Sequence, residues 1–479
     1  PLAGGDAGGP AKPVPRRLLE GVLAFHALHW NPQNSYPPMI RSLYSFAMWA
    51  AQPLLRRKLA RRGVQEPGYL EAIEERFGHY GAGTPASSGW VWVHAVSMGE
   101  TRAAAILVRA LRRQMPGMRL LLTHGTATGR AEGKALLQPG DMQVWQPWDT
   151  PGAVRRFLAQ FQPTIGILME TEVWPNMVAV CQQQGVPLVL ANARLNAHSL
   201  RKAERVGWLA RPAFGGLAAV WAQSQADADR LRQLGAPVQG IFGNVKFDAT
   251  PDTAQIAQGR AWRVAGGRPV VMLASAREGE EAEFLAALKH FMPPAPAAPA
   301  QAAPDLVANN AAGPVQWLIV PRHPQRFDEV AALVQQQGFS VSRRSSWGQG
   351  AAPAVADVWR GDSMGEMALY YGLGHVALLG GSFAPLGGQN LIEAAACGCP
   401  IVTGPSVFNF QEAATLAQQA GAAFPVASMA QGVQLAVELA QDEVRFAQAR
   451  AAAEQFATAH RGAADRTAQA VQALLSSPR

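Results

Sequence analysis

Cysteine is nearly absent from these 479 residues: only Cys181, Cys397 and Cys399 occur. The Cys397-Gly-Cys399 spacing is too tight for a CxxC redox or zinc pair, so the expectation is a reducing compartment without structural metal. Charge is sparse, at 16% of residues, while 48% are hydrophobic, which excludes generic disorder. Lysine is scarce as well: six among 42 basic residues, so arginine carries the net charge of +8. That balance suits nucleic acid, anionic lipid or phosphorylated substrates, and composition does not choose among them. No Gly-X-Y period organises the 47 glycines and 35 prolines, so the chain is not collagen-like. Long apolar runs are missing. The stretch at 39–55, MIRSLYSFAMWAAQPLL, is broken by Arg41, Gln52 and Pro53 and falls well short of the roughly 20 residues that span a bilayer.

Several common motifs are missing too. No GxGxxG follows a strand to open a helix, Gly133-Lys134 lacks the rest of a Walker loop, and there is no HExxH. Asp227-Ala228-Asp229 is formally a DxD, but QSQADADRLRQLG reads as the first turns of a helix, where acids suit the dipole. Basic residues do not interleave with aromatics along one face, which disfavours nucleic acid.

What is present is a pattern of alternation. After a leader at 1–37 and a short apolar, aromatic helix at 38–62 ending in RRKLARR, apolar runs alternate with helix-like segments. Strands are expected at 91–95, 119–123, 164–169, 187–191 and 219–223. A second set is expected at 239–243, 270–274, 316–320, 376–379 and 400–403. Short buried strands between helices predict an α/β chain of two doubly wound, Rossmann-like domains facing each other across a cleft, at 63–237 and 238–479. Residues 291–314 are low in complexity and read as a solvated loop. The helix at 38–62, with five basic residues at its end, suits an interfacial anchor, and packing on its own domain is the alternative.

The strand-end loops carry the chemistry. Val96-Ser97-Met98-Gly99-Glu100 puts a carboxylate where doubly wound sheets bind ligands, although a helix-start Glu is also favoured by the dipole. Met169-Glu170-Thr171-Glu172 and Gly243-Asn244-Val245-Lys246 bring acids and one of the few lysines to other strand ends. Val320-Pro321-Arg322-His323, Ser363-Met364-Gly365-Glu366 and Gly380-Gly381 through Asn390-Leu391-Ile392-Glu393 follow in the second half. The last is a glycine-rich turn whose amides and helix N-terminus could approach a phosphate.

Taken together these loops resemble the 3-deoxy-D-manno-octulosonic acid (Kdo) transferases of lipid A biosynthesis. The resemblance runs from residue 41 to about 470 through WVHAVSMGE, THGTATG, METEVWPN, ANARLNAHS, GNVKFD, ASAREGEE, IVPRHPQRF, GDSMGEM and LLGGSFAPLGGQNLIEAAACGCP. Asn196 stands where a serine is usual in that family. The resemblance implies a GT-B fold, an acceptor-binding first domain and a CMP-Kdo-binding second one. It implies inverting transfer of Kdo from CMP-Kdo to the lipid A precursor, lipid IVA, at the cytoplasmic face of a bacterial inner membrane. By the same resemblance Glu100 is the base, and Glu170 and Lys246 stabilise the transition state. CMP is held by Pro321, Arg322, Met364, Gly365, Glu366, Asn390, Leu391, Ile392 and Glu393. No cofactor, metal or nucleic acid is implied; the partners are the two substrates and an anionic membrane surface. Another GT-B nucleotide-sugar enzyme (a transferase with a different donor, or an epimerase) and a non-catalytic lipopolysaccharide-binding protein are the competing readings.

Overall fold

Each apolar run expected as a strand is one, and every strand pairing is parallel. The structure, a computed structural model, describes residues 38–476 apart from 82–83, 85, 292–314 and 349–352. The leader 1–37 and all of the 291–314 segment beyond Phe291 therefore lie outside the described residues.

The first sheet contains β1 (Trp90–His94), β2 (Arg119–His124), β3 (Met142–Trp145), β4 (Pro163–Met169), β5 (Leu188–Ala193), β6 (Ala219–Ala222) and β7 (Val238–Ile241), in the order β3-β2-β1-β4-β5-β6-β7. The second contains β8 (Val270–Ala276), β9 (Gln316–Pro321), β10 (Val341–Arg343), β11 (Val358–Arg360), β12 (Val376–Leu379), β13 (Ile401–Thr403) and β14 (Ala423–Pro425), in the order β10-β11-β9-β8-β12-β13-β14. Helices cover both faces, which is why β1 and β9 are buried along their whole length rather than at alternate residues. The helix Met98–Gln114 is typical: Ser97 caps its start, Arg112 and Arg113 occupy its last turn, and Leu107, Val108 and Leu111 face the sheet. Burying each of those side chains is worth roughly 1.5–3 kcal/mol.

In each sheet the chain reverses direction of winding once. The switch lies between β1 and β4 in the first sheet and between β8 and β12 in the second. A crevice opens outside the strand C-termini at such a point, and ligands bind there.

Two boundaries differ from the sequence reading. The strand near residue 239, expected to open the second domain, pairs with β6 and closes the first sheet. The last helix, Ala463–Ser476, also returns to the first domain: Ala464, Ala468 and Val471 join its core, and Arg113 Nη2 contacts Asp465 Oδ1 at 2.6 Å. The N-terminal helix is likewise two helices, Pro38–Ala50 and Gln52–Gln65. Pro53 has no N–H to offer the Trp49 carbonyl, so the ladder breaks there. The first of them is held to the domain on one side only. Tyr44 Oη donates to Asp149 Oδ2 at 2.8 Å and Ser45 Oγ to Asn176 Oδ1 at 2.8 Å.

Candidate active site

The loops after β1 and β4 flank the first switch point and carry Glu100 and Glu170. Ser97 caps the helix Met98–Gln114 by accepting from the Glu100 N–H. The Glu100 carboxylate closes the motif: Val96 N–H donates to Oε2 at 3.0 Å and Ser97 Oγ to Oε1 at 3.1 Å. Helix capping is thus part of what this residue does. Its environment adds something that a cap does not need. Burial pushes its carboxyl up to about 7, against the opposing Val96 N–H and with help from the charges of Glu170 and Glu172. A carboxylate of that basicity is suited to take a proton near neutral pH.

Glu170 sits at the end of β4 with φ of 60°, a left-handed conformation that a non-glycine residue adopts only where its surroundings enforce it. The hydrogen bonds Glu170 N–H to Ala191 O at 3.0 Å and Arg194 N–H to Glu170 O at 3.2 Å hold it there. Its side chain is buried and meets two cations, Lys246 Nζ at 2.9 Å and Arg194 Nε at 3.3 Å. Lys246 follows β7 on a short turn of helix whose start is capped by Asn244. The ammonium also lies 5.5 Å from the ring centre of Phe410 in the second domain, and Arg194 Nη1 reaches Asn409 O at 3.4 Å. The Glu170–Lys246–Arg194 triad therefore stands at the seam between domains. Beside it a cavity of about 990 Å³ is lined by Thr171, Arg194, Gln223, Phe408, Phe410 and Glu412, among others.

Across the cleft, the loops after β11, β9, β8 and β12 emerge from four adjacent strands. The structure brings Arg322 and Glu393 together there. Arg322 Nε donates to Gln389 Oε1 at 3.2 Å. Burial lowers the pKa of Arg322, with further lowering from Arg102 and Arg277; burial raises that of Glu393, opposed by Arg102 and Arg322. Arg102, on the same helix as Glu100, thus faces this wall from the other domain. Asn390 caps the short helix Leu391–Ala396 that carries Ile392 and Glu393. Met364 is exposed, and Gly365 turns the chain with φ of 78° while its carbonyl accepts from Gln255 Nε2 at 3.1 Å. The Glu366 carboxylate is already engaged by Arg344 at 2.9 Å and by Ser363 Oγ, and its carbonyl accepts from Tyr370 N–H, which leaves its backbone N–H for a ligand.

The glycine-rich turn departs from expectation. Its amides do not form an open anion cradle, because a buried carboxylate fills it. Glu280 accepts from Gly381 N at 2.7 Å, Phe383 N at 3.1 Å and Ala384 N at 3.2 Å, and from Arg277 N at 2.9 Å. The N–H groups of Gly380, Ser382, Leu386, Gly387 and Gly388 are bonded to Ala274 O, Leu379 O, Ala384 O, Ser406 Oγ and Gly381 O. With Pro385 contributing none, the amides from 380 to 388 are all taken. The helix that follows has only six residues, so its dipole is small.

The formal DxD dissolves in the structure, and so does a GxSxG spelling that the sequence reading passed over. Asp227 Oδ1 accepts from Leu195 N at 2.8 Å and its Oδ2 from Ser224 Oγ at 2.7 Å, within the cap of helix Gln225–Gln233, and Asp229 pairs with Arg232 on the outside. Gly361-Asp362-Ser363-Met364-Gly365 spells GxSxG, but Ser363 Oγ is bonded to the Glu366 carboxylate and the Tyr370 phenol, not to the imidazole that a serine nucleophile needs. Arg102, Arg194, Arg277, Gln389 and Glu280 are the site residues that the sequence did not single out. Arg102 stands two residues after the WVHAVSMGE segment, and the other four were present only as letters inside ANARLNAHS, ASAREGEE and the glycine-rich run.

Two doubly wound domains that present their strand ends to a common cleft, with a basic carboxylate on one wall and arginine-lined loops on the other, define a glycosyltransferase of GT-B architecture. A glycosyltransferase from Rickettsia africae shares the fold, with a TM-score of 0.52 over 82% of this chain and 100% of that one at 11% identity. Residues 71–249 match the family model of 3-deoxy-D-manno-octulosonic-acid transferases (kdotransferases). The chain is 45% identical to a 3-deoxy-D-manno-octulosonic acid transferase of Bordetella pertussis, over 91% of this chain and 99% of that protein. It is 31% identical to the one of Haemophilus influenzae, over 84% and 90%. The chain belongs to the 3-deoxy-D-manno-octulosonic acid transferase family.

Proposed function

We propose that this enzyme transfers Kdo from CMP-Kdo to a sugar hydroxyl of the lipid A precursor lipid IVA, with inversion at the anomeric carbon. The observation that carries this reading is Glu100: a carboxylate held at the first switch point by Val96 N–H and Ser97 Oγ, raised to about 7 by burial beside the charges of Glu170 and Glu172, on the helix whose Arg102 bears on the Arg322–Glu393 wall. In the proposed reaction Glu100 takes the proton of the acceptor hydroxyl as its oxygen attacks the anomeric carbon. The bond from that carbon to the CMP phosphate breaks, and the electron pair leaves with CMP. Positive charge near the departing phosphate lowers the barrier, which suits Arg322 and the Lys246–Glu170 pair. Glu393 is half-buried and its carboxylate accepts no hydrogen bond among the described residues, so it has acceptor capacity for ribose hydroxyls. The cavity beside Lys246 has room for the acceptor headgroup, with Arg194 supplying charge for its phosphate. Incubation with CMP-Kdo and lipid IVA, read by mass spectrometry, should give acceptor enlarged by one or more Kdo units. Release of CMP without any enlarged lipid would defeat the acceptor assignment.

The acceptor carries acyl chains, so the cleft must meet a bilayer surface. No helix among the described residues is long and apolar enough to cross a membrane. Leu43, Phe46 and Trp49 on the first of the two N-terminal helices, and Leu54 on the second, are nevertheless 62–69% exposed. Met48 and Leu55 turn partly inward, and Arg56 is folded onto Glu74 and the Phe77 ring rather than free for headgroups. Arg57, Lys58 and Arg61 remain exposed, each worth about 1 kcal/mol beside anionic lipid. Vesicle co-sedimentation should therefore show binding to anionic lipid that weakens as salt rises. Binding indifferent to both lipid charge and salt would contradict an interfacial contact of this kind.

A further inference from the structure

The amides from 380 to 388 are all bonded within the protein, so positive charge for a donor phosphate above this turn comes from side chains. Arg322 is one. A second stands beside it. β8 and β9 run side by side with Ala276 opposite Pro321, and Arg322 N–H donates to Ala276 O at 3.0 Å. The next residue along β8 is Arg277, so the two arginines leave neighbouring strand ends together. β8 is also one side of the second switch point, where the crevice opens.

The strand end is shaped to aim this residue. The β8–β9 register shifts between Ala274 and Ala276, and Ser275 in the bulge has φ of 56°, a left-handed conformation in a non-glycine residue. A bulge of this kind rotates the side chains that follow it, and strain of this kind concentrates at functional positions. Gly380 lets the neighbouring loop approach the bulge: a Cβ there would stand 2.2 Å from Ser275 O. Over Gly381, Arg277 Cγ lies 3.6 Å and Gln389 Nε2 3.2 Å from the position of a Cβ, while the Gln389 carbonyl holds Arg322 Nε. Arg277, Gln389 and Arg322 therefore form one cluster above the turn. The Arg277 backbone N–H bonds Glu280, but its guanidinium has no carboxylate or carbonyl partner among the described residues. Its charge instead bears on Arg322 and His323, which raises the cost of the cluster unless an anion is bound.

We infer that Arg277 and Arg322 together form a two-guanidinium clamp on the phosphate of the donor nucleotide, with Gln389 as the spacer that sets their separation. Planar guanidinium forks match phosphate oxygens in this way. The inference rests on the nucleotide-sugar reading above. It assigns Arg277 a role in ligand binding, distinct from proton transfer at Glu100.

Calorimetry on the full chain with CMP and with cytidine, which lacks the phosphate, tests it in wild type, Arg277→Gln and Arg277→Lys. The expected result is CMP binding weakened at least tenfold in Arg277→Gln, cytidine binding within twofold of wild type, and CMP binding by Arg277→Lys between the two. CMP affinity within twofold of wild type in Arg277→Gln would overturn the clamp alone. Equal losses for CMP and cytidine would also overturn it, since the residue would then support the pocket rather than the phosphate. A wild-type chain that binds no CMP would overturn the nucleotide reading, and the clamp with it.

Discussion

Glu100→Gln is expected to lower transfer by about 10²–10⁴-fold while leaving the fold and CMP affinity unchanged. The carboxamide can keep both local contacts of Glu100, its oxygen accepting from Val96 N–H and its NH₂ donating to Ser97 Oγ. Only the capacity to take a proton is lost. Single-turnover transfer beside CMP calorimetry separates the two quantities, and more than about a tenth of wild-type transfer would remove Glu100 from the base role. The wild-type rate should also rise with pH through about 7 and level off above it, because the base acts only when ionised. In Glu100→Gln that limb should vanish.

The same substitution should stabilise the protein, in a defined pH window. Burial raises the Glu100 carboxyl from its ordinary 4.5 to about 7, so the folded state holds a proton that the unfolded state releases. The residue's contribution to stability is fully present below about 4.5 and is lost as pH rises through about 7. Gln carries no charge at any pH. The gain in Glu100→Gln should therefore be absent at pH 4, grow between those values and reach about 2–3 kcal/mol at most above pH 8. A site that is more stable without its ionised group is the usual signature of function held against stability.

Position along the chain told most about the site where a single residue type at a strand end sufficed. Glu100, Glu170, Lys246, Arg322 and Glu393 all lie on the loops and helix starts that follow strand ends, because parallel sheets deliver every such end to one edge. The longer strands were legible as continuous apolar runs, as in β4 and β9, which are buried on both faces. β3, β10, β11 and β14 were not. They have only three or four residues, and three of them are sheet edges, so neither length nor periodicity marks them. The boundary at 237 failed for a related reason: a four-residue strand with residues such as Gln239 and Gly240 says nothing of which sheet it joins. The glycine-rich turn shows a different limit. Its composition signals close backbone approach, but whether the approaching anion is a ligand or the protein's own Glu280 depends on a pairing more than 100 positions apart in sequence.

That pairing supports a contrast with Glu100. Glu280 is 2% exposed, and its two oxygens receive four backbone N–H groups, from Arg277, Gly381, Phe383 and Ala384. Glu280→Gln, the same chemical change that leaves the Glu100 loop intact, should be damaging here. A carboxamide offers one acceptor oxygen and turns two donors toward N–H groups that need acceptors. One end of the nest then loses its partner, and leaving a buried donor unsatisfied costs about 1–3 kcal/mol. Glu280→Ala removes both ends and should cost roughly 3–5 kcal/mol, the range for breaking a buried, charge-assisted network. A two-domain chain need not unfold in one step, so the informative measurement is local. Hydrogen exchange at the amides of Arg277, Gly381, Phe383 and Ala384 should be strongly protected in wild type and faster by tenfold or more in Glu280→Gln. Because Gln389 and Arg277 ride on the segments that this carboxylate joins, CMP binding should weaken in parallel. Unchanged protection at Gly381 and Ala384 in Glu280→Gln would mean that the turn holds its shape by its glycines alone, and that Glu280 does not organise the donor wall.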